Sequence, residues 1–555
     1  MTLTDDHWST IRQVSPVKDS AVSFFSAQYP LIRLFRFGPD VLLYDAKPHF
    51  AFCLADAELD VLVDYLARFP EDALAAKYST RFDASALAAL IAKFRDLGEA
   101  GVFLPGPAEM ISPVDREEIE EMLRYYDLNI LLRKFCLEVT QDCNFRCAYC
   151  KRTIADGYKG HNRLYMQLGV AEAGIDYYFG KYTQIYDKLS ADKKALILRT
   201  LPPSLSWYGG EPFLNFDLIR QSAAYFRGLS WERHAIPAES VRFSCNTNLS
   251  IMNETIIRFL IDNRVRLFAS IDGPAQEHDR SRVFPNQRGT FGVAYRNLMS
   301  LKSADPEYFR THVTILSVYT ENHDRAKCRE FVQGLGALTY NEYRAEYVGA
   351  FVPDAEAALT RREQDASERY AAFQKKALTE AASPDPHAER FDALFPFATI
   401  NFDRPSASNN LHRSLTCPMG YDNLMLSAGG TFVICHKVDD SMPIGRCETG
   451  LDLDQLADLY RRYNAAINNS ECRNCWIVNF CGLCAAARMA GGRFVNPSRS
   501  ECDYFRAGAA FDLSCFAYVA AELPDLWNKI WTHRHDPDKY IGVVDVGAFR
   551  TDPEG

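Results

Sequence analysis

The chain lacks long apolar runs. No segment approaches the roughly 18 consecutive apolar residues that a membrane span needs. The N-terminus MTLTDDHWSTIRQ is acidic and has no apolar stretch of the secretory kind. A positive excess is also missing: 62 Lys and Arg stand against 72 Asp and Glu, a formal net charge of −10. Nucleic-acid proteins usually carry a basic stripe, so no nucleic-acid partner is expected. There is no internal repeat and no low-complexity tract. These absences together predict a cytoplasmic protein with no membrane partner.

What is present is a globular composition, 47% hydrophobic and 24% charged over 555 residues. That suffices for a sizeable core and for roughly two to four domains. Sixteen cysteines are many for a cytoplasmic chain. Cys53, Cys136, Cys245, Cys328 and Cys515 are isolated, and most of the others fall within 143–150 and 417–502. Clustered cysteines in a reducing compartment point to metal or redox work rather than to disulfides.

The pattern divides the chain into an N-terminal segment (1–29), an α+β unit (30–107), a charged connecting helix (108–129), an alternating β/α region (130–352), a helical linker or insertion (353–414), a cysteine-rich region (415–515) and a tail (516–555). In the α+β unit, two or three strands precede a helix over 55–70. A second helix is capped by Asp83 or Ser85 and followed by a short strand near GVFLPG. From 130 to 350 the strand candidates are FCLEVT, LSWYGGEP, VRFSCNTN, RLFASIDGP and HVTILSVYT, with helical pieces between them. Such alternation implies a parallel sheet or barrel, whose sites lie at the C-terminal ends of the strands.

One short stretch, TQDCNFRCAYCKR, follows the first of these strands and holds Cys143, Cys147 and Cys150. Two disulfides need four cysteines, and a structural zinc usually takes four ligands. Three thiolates on one loop suit three corners of a four-iron cube, leaving the fourth iron open.

Cys-x3-Cys-x-aromatic-Cys after the first strand of a β/α barrel resembles the radical S-adenosylmethionine (SAM) superfamily. The resemblance implies a partial (β/α)6 barrel and a cluster whose open iron chelates the amino and carboxylate groups of SAM. Its reductive cleavage would yield a 5′-deoxyadenosyl radical that abstracts hydrogen from substrate. By the same resemblance Tyr149 lies near the adenine. The Gly209-Gly210-Glu211-Pro212 turn meets the SAM ammonium, and Asn248 lies near the ribose or substrate. Ser270 and Arg282 are candidates for the SAM carboxylate. Asp272 is structural or catalytic, and His278 and Asp279 are either functional or a hydrogen-bonded turn.

The C-terminal cysteines resemble the SPASM extension of such enzymes, with two auxiliary 4Fe-4S clusters, three clusters in all. By position Cys472, Cys475, Cys481 and Cys502 hold the second auxiliary cluster, and Cys417, Cys435 and Cys484 the first, whose fourth position is either filled by Cys447 or open to substrate. Two residues rather than three precede Cys484, which departs from the pattern. Paired Cys-x2-Cys elements also serve zinc, which is the alternative.

The unit before the barrel looks like the winged-helix peptide-recognition module of peptide maturases, which would take a leader peptide as an added strand. The whole is then similar to radical SAM/SPASM enzymes that modify a ribosomally made precursor peptide, by thioether or carbon–carbon crosslinking. Flavodoxin or ferredoxin would be the reductant. Three rivals remain: a sulfatase-maturing enzyme, a peptide epimerase using a surplus thiol such as Cys447 or Cys515, and a non-catalytic zinc or peptide-binding scaffold. Sulfatase-maturing enzymes usually carry Asp where this chain has His436, and they lack the extra N-terminal unit.

Overall fold

A computed structural model of the chain describes residues 17–37, 40–106, 116–150, 152, 160–319, 323–337, 339–344, 366–383, 418–438, 440–467, 471–481, 484–490 and 492–528. Its N-terminal part is an antiparallel meander of β1 (Ile32–Phe37), β2 (Asp40–Asp45) and β3 (Phe50–Leu54). β2 reads DVLLYD and is buried along nearly its whole length, because both of its faces are covered. Val41 and Leu43 pack with the helices Asp19–Gln28, Asp56–Leu66 and Ala84–Glu99. Leu42 and Tyr44 face a second core made with the C-terminal part of the chain.

The helix Ala84–Glu99 begins where its cap predicts, with the Asp83 carboxylate accepting from the amide of Ala86 at 2.8 Å. The strand expected after it does not form. Residues 101–103 are a turn, and the Phe103 amide donates to the Asp45 carboxylate at 2.9 Å. That side chain takes the donor a strand partner would have needed, while Val102 and Phe103 still bury their side chains.

Among the described residues, the central sheet has ten strands. β4 (Lys134–Thr140), β5 (Ser204–Gly209), β6 (Arg242–Thr247), β7 (Arg266–Ser270), β8 (Val313–Tyr319) and β9 (Thr339–Arg344) run parallel in chain order. Helices lie between consecutive strands, so the architecture is a mixed α/β fold on a parallel sheet, as the alternation predicts. Five strands were legible as apolar runs, whereas the sixth, TYNEYR, carries too little apolar signal. β4 and β9 are not paired with each other, so the run is open.

On β4 the residues Phe135, Leu137 and Val139 enter the core under the helices, Phe135 stacking on Tyr178 at 5.4 Å. Strand alternation turns Cys136, Glu138 and Thr140 to the opposite face. The other edge of β4 is taken by β10 (Asn423–Leu426), parallel to it, and β11 (Thr431–Val433), β12 (Gly445–Arg446) and β13 (Gly450–Leu451) follow antiparallel. The cysteine-rich region is thus built onto the same sheet.

A long helix, Arg499–Glu522, starts from a capping box of Ser498 and Glu501 and runs through residue 515, where the sequence suggested a boundary. It joins the helix Ala366–Ala381, the segment Trp476–Val478 and β2 in the second core. Among the described residues, no helix is long and apolar enough to cross a membrane.

Candidate active site

β4 ends at Thr140, and the three-cysteine loop leaves from its C-terminal end. The loop is held by backbone bonds to the segment that follows β7: Arg146 N to Val283 O at 2.7 Å and Ala148 N to Ser281 O at 2.8 Å. The Arg146 guanidinium donates to the carbonyls of Cys143 and Phe145. Cys150 N donates back to Cys147 O at 3.0 Å, closing the last turn.

N–H groups point at the sulfurs. Phe145 N lies 3.4 Å and Asn248 Nδ2 3.7 Å from Cys143 Sγ. Burial pushes the Cys143 thiol up to about 12. It pushes Cys147 to about 11, against the opposing pull of Arg282. Buried thiols of this kind ionise readily only beside added positive charge, and N–H donors to sulfur are the environment that iron–sulfur thiolates use. The donor set therefore fits an iron–sulfur group. Among the described residues, no three His, Cys, Asp or Glu side chains are grouped tightly enough to share one metal ion.

Gly209, Gly210, Glu211 and Pro212 lie directly against this loop. Gly210 N donates to Thr140 O and Glu211 N to Asp142 O, both at 2.9 Å. A Cβ on Gly209 would fall on the Thr140 carbonyl, and one on Gly210 on the Asp142 carbonyl. Gly209 also has φ +141°, in the region that glycine alone adopts freely. The close approach that the two glycines permit is therefore to the root of the cysteine loop. Glu211 is fully buried. Its carboxylate accepts from Thr247 Oγ1 (2.8 Å), Asn248 N (2.7 Å) and Phe213 N (3.1 Å). Burial nevertheless raises its pKa to about 7. Asn248 ties this group to the loop, its Nδ2 donating to Asn144 Oδ1 at 3.0 Å.

Asp272 is the second node. Its buried carboxylate accepts from Tyr149 Oη, Arg282 Nε and Val318 N, each at 2.8 Å. The Arg282 guanidinium also lies 5.4 Å from the centre of the Tyr149 ring. Tyr149 and Arg282, expected to meet the cofactor separately, are thus brought together on one acid. Ser270 is half-buried at the end of β7. His278 and Asp279 lie in the short helix Ala275–Ser281 rather than in a local turn, and they bond to a distant segment: His278 Nε2 lies 3.1 Å from Thr290 Oγ1, and Asp279 accepts from Thr290 N and Phe291 N.

Among the C-terminal cysteines, Cys472, Cys475 and Cys481 lie within electrostatic reach of Cys502. Burial raises the Cys502 thiol to about 11, Arg506 opposes this, and the neighbouring Cys475, Cys481 and Cys472 add to it. Cys435 and Cys484 are half-buried against the sheet core. Cys447 is buried, and its thiol is hydrogen-bonded to the adjacent Glu448. Cys417 lies outside the described residues. The His436 ring packs on Tyr208 of β5 at 4.9 Å, close to the Gly209–Pro212 turn.

Sequence reasoning missed a buried ion pair between Glu138 of β4 and Arg152, two residues past Cys150. A charged residue inside the otherwise apolar FCLEVT was the available signal.

No family model matches the chain. It is 24% identical over 188 residues to a cysteine-type anaerobic sulfatase-maturating enzyme of Clostridium novyi, across 34% of this chain and 43% of that protein. It is also 24% identical over 172 residues to an uncharacterized protein of Methanocaldococcus jannaschii, across 31% and 49%. The matches thus span less than half the length of these curated relatives. Among solved structures, native anSMEcpe with bound AdoMet aligns with a TM-score of 0.50 at 16% identity, covering 72% of this chain and all of that one. Streptococcus suis SuiB bound to precursor peptide SuiA aligns at 0.43 and 14% identity, over 85% and 98%. In motif, in sequence and in fold, the chain resembles the radical SAM maturases.

Proposed function

We propose that this chain is a radical SAM enzyme that modifies a ribosomally made peptide. One observation carries the reading: the three thiols of the Cys143–Cys150 loop are held at the C-terminal end of β4 between two buried acids, Glu211 and Asp272. Cys143, Cys147 and Cys150 would hold a 4Fe-4S cluster, whose open iron binds SAM and supplies the reductive cleavage that starts radical chemistry. The chain's own part is placement. Gly209 and Gly210 let β5 press against the loop, Glu211 fixes Asn248, and Asp272 fixes Tyr149, which would lie near the adenine, together with Arg282.

Cys472, Cys475, Cys481 and Cys502 would hold an auxiliary cluster. Cys417, Cys435 and Cys484, with Cys447, would hold another. The three-stranded N-terminal sheet would take the leader peptide, and flavodoxin or ferredoxin would deliver electrons. The net reaction is a two-electron oxidation of the peptide that forms a thioether or carbon–carbon bond. The sequence match to a sulfatase-maturating enzyme favours a second reading, action on a cysteine in a sulfatase-like protein. His436 and the N-terminal unit set the two readings apart.

The test is anoxic purification with iron, sulfide and zinc determined, followed by SAM and dithionite. Formation of 5′-deoxyadenosine by wild type, and none by the Cys143/Cys147/Cys150→Ala variant, is expected. Bound zinc with no SAM cleavage would leave only the scaffold. With a co-expressed peptide, loss of two hydrogens marks crosslinking. An unchanged mass with one deuterium gained from heavy water marks epimerisation.

A further inference from the structure

The Glu138–Arg152 pair has no role in the site described so far, yet among the described residues it is one of the most deeply buried charge pairs. The side chains are 4% and 9% exposed. Glu138 also accepts from Gln141 Nε2 at 3.0 Å and from Ala428 N at 3.1 Å. Ala428 lies in the turn between β10 and β11, on the path to Cys435. Gln141 Oε1 accepts from Asn162 Nδ2 at 3.2 Å, and Arg152 reaches the carbonyl of Gly160 at 3.4 Å. Three chain segments therefore meet on one carboxylate: β4, the exit of the cysteine loop and the first hairpin of the cysteine-rich region.

Buried ion pairs seldom repay their desolvation, and an apolar pair of the same volume often serves stability as well. Breaking one by removing a single partner leaves an uncompensated buried charge. The position of the pair is informative. Arg152 is two residues from Cys150. Tyr208, the register partner of Glu138 across β4 and β5, has its hydroxyl within the influence of both Cys150 and Arg152. The pair thus stands beside the thiol site and contributes no net charge to it.

Resting on the proposed function, we infer that Glu138 and Arg152 are positioning residues for the three-thiol loop. The pair fixes the Cys150 end of the loop and balances charge beside its iron–sulfur site, so it sets that site's reduction potential. Removing the acid leaves a bare cation and favours the reduced state. Removing the base leaves a bare anion and disfavours it.

The experiment compares wild type with Glu138→Gln, Arg152→Gln, Arg152→Lys and the double Gln variant, all purified without oxygen. The reduced fraction of the loop cluster is read by electron paramagnetic resonance during a redox titration, after subtracting the spectrum of the Cys143/Cys147/Cys150→Ala variant. At fixed potential the reduced-to-oxidised ratio should rise about tenfold in Glu138→Gln and fall about tenfold in Arg152→Gln, about 59 mV each way for one electron. The double variant and Arg152→Lys should stay near wild type. Shifts of the same sign in the two single Gln variants, or none in either, overturn the inference.

Alkylation of Cys150 in iron-free protein, followed by mass spectrometry, tests the positioning without any cluster. It should be several-fold faster in both single Gln variants than in Arg152→Lys, and equal rates overturn that half. Wild type that takes up no iron would sink the proposed function, while the alkylation rates would still judge the loop.

Discussion

Three donors meet on the carboxylate of Glu211, two of them at 247–248, and the side chain of Asn248 in turn contacts Asn144 and Cys143 of the cysteine loop. Replacing one carboxylate oxygen by an amide NH2 sets donor against donor at Asn248 N or at Oε1. Glu211→Gln should therefore lower stability by roughly 1–3 kcal/mol, the cost of one unsatisfied buried group. Thermal unfolding checks this, and an unchanged midpoint would show that the site rearranges freely. Gly210→Ala acts on the same contact by volume. Its methyl needs the space of the Asp142 carbonyl, and overpacking of this kind costs about 1–3 kcal/mol. Because the carbonyl it displaces is one residue from Cys143, the iron content of the loop should fall with the midpoint. Full iron occupancy in Gly210→Ala would show that the loop does not depend on this approach.

At the level of elements, the junction between the N-terminal sheet and the cysteine-rich region is built from β2 and the residues between Cys475 and Cys481. Trp476 packs on Phe35 (5.4 Å) and Tyr44 (6.4 Å). Asn479 Nδ2 donates to Ala46 O at 2.8 Å and lies 3.2 Å from His49 Nδ1, which is also 3.0 Å from Tyr44 Oη. Burial lowers the His49 pKa from 6.5 to about 4. A depressed folded pKa means that the neutral ring's contribution is complete above pH 6.5 and is lost as pH falls toward 4. The neighbouring Asp45, raised to about 6 by burial, works in the opposite sense, so the variant comparison isolates the histidine. Protease cleavage within 17–106 should increase between pH 7.5 and 5 in wild type. In His49→Gln it should depend less on pH, and the same slope in both would refute the assignment. Asn479→Ala, which strips a donor from Ala46 O, should raise cleavage at every pH.

For the whole molecule, the segment that docks on β2 is bracketed by cysteines assigned to one cluster. Filling that cluster should therefore tighten the N-terminal unit. Wild type should hold about twelve irons, and the Cys143/Cys147/Cys150→Ala variant about four fewer. Chelating the iron, or replacing Cys472 and Cys475 by Ala, should raise protease cleavage within 17–106 several-fold, while loss of the loop cluster alone should leave that region protected. Equal protection with and without iron would separate the two parts.

Much of this was legible along the chain because it is local. Cys-x3-Cys-x2-Cys, Gly-Gly-Glu-Pro and the apolar strands of the parallel sheet are patterns of neighbours in sequence, and the structure brings the first two together at the end of β4. The Asp83 cap belongs to the same class, whereas His278 and Asp279, read as a local turn, are helical and bond to Thr290 and Phe291. Other features depend on residues far apart in sequence. The polar TYNEYR becomes the sixth strand because β8 offers it a partner. The short strand expected at GVFLPG is lost because Asp45, from another element, takes the Phe103 amide. Glu138 reads as an oddity in a strand until Arg152, Gln141 and Ala428 close around it, and the loop between Cys475 and Cys481 becomes a docking face only when β2 lies on it. Most of these pairings are made between distant segments by burial and hydrogen bonding, and even Glu138 and Arg152, 14 residues apart, are joined only by how the loop folds back.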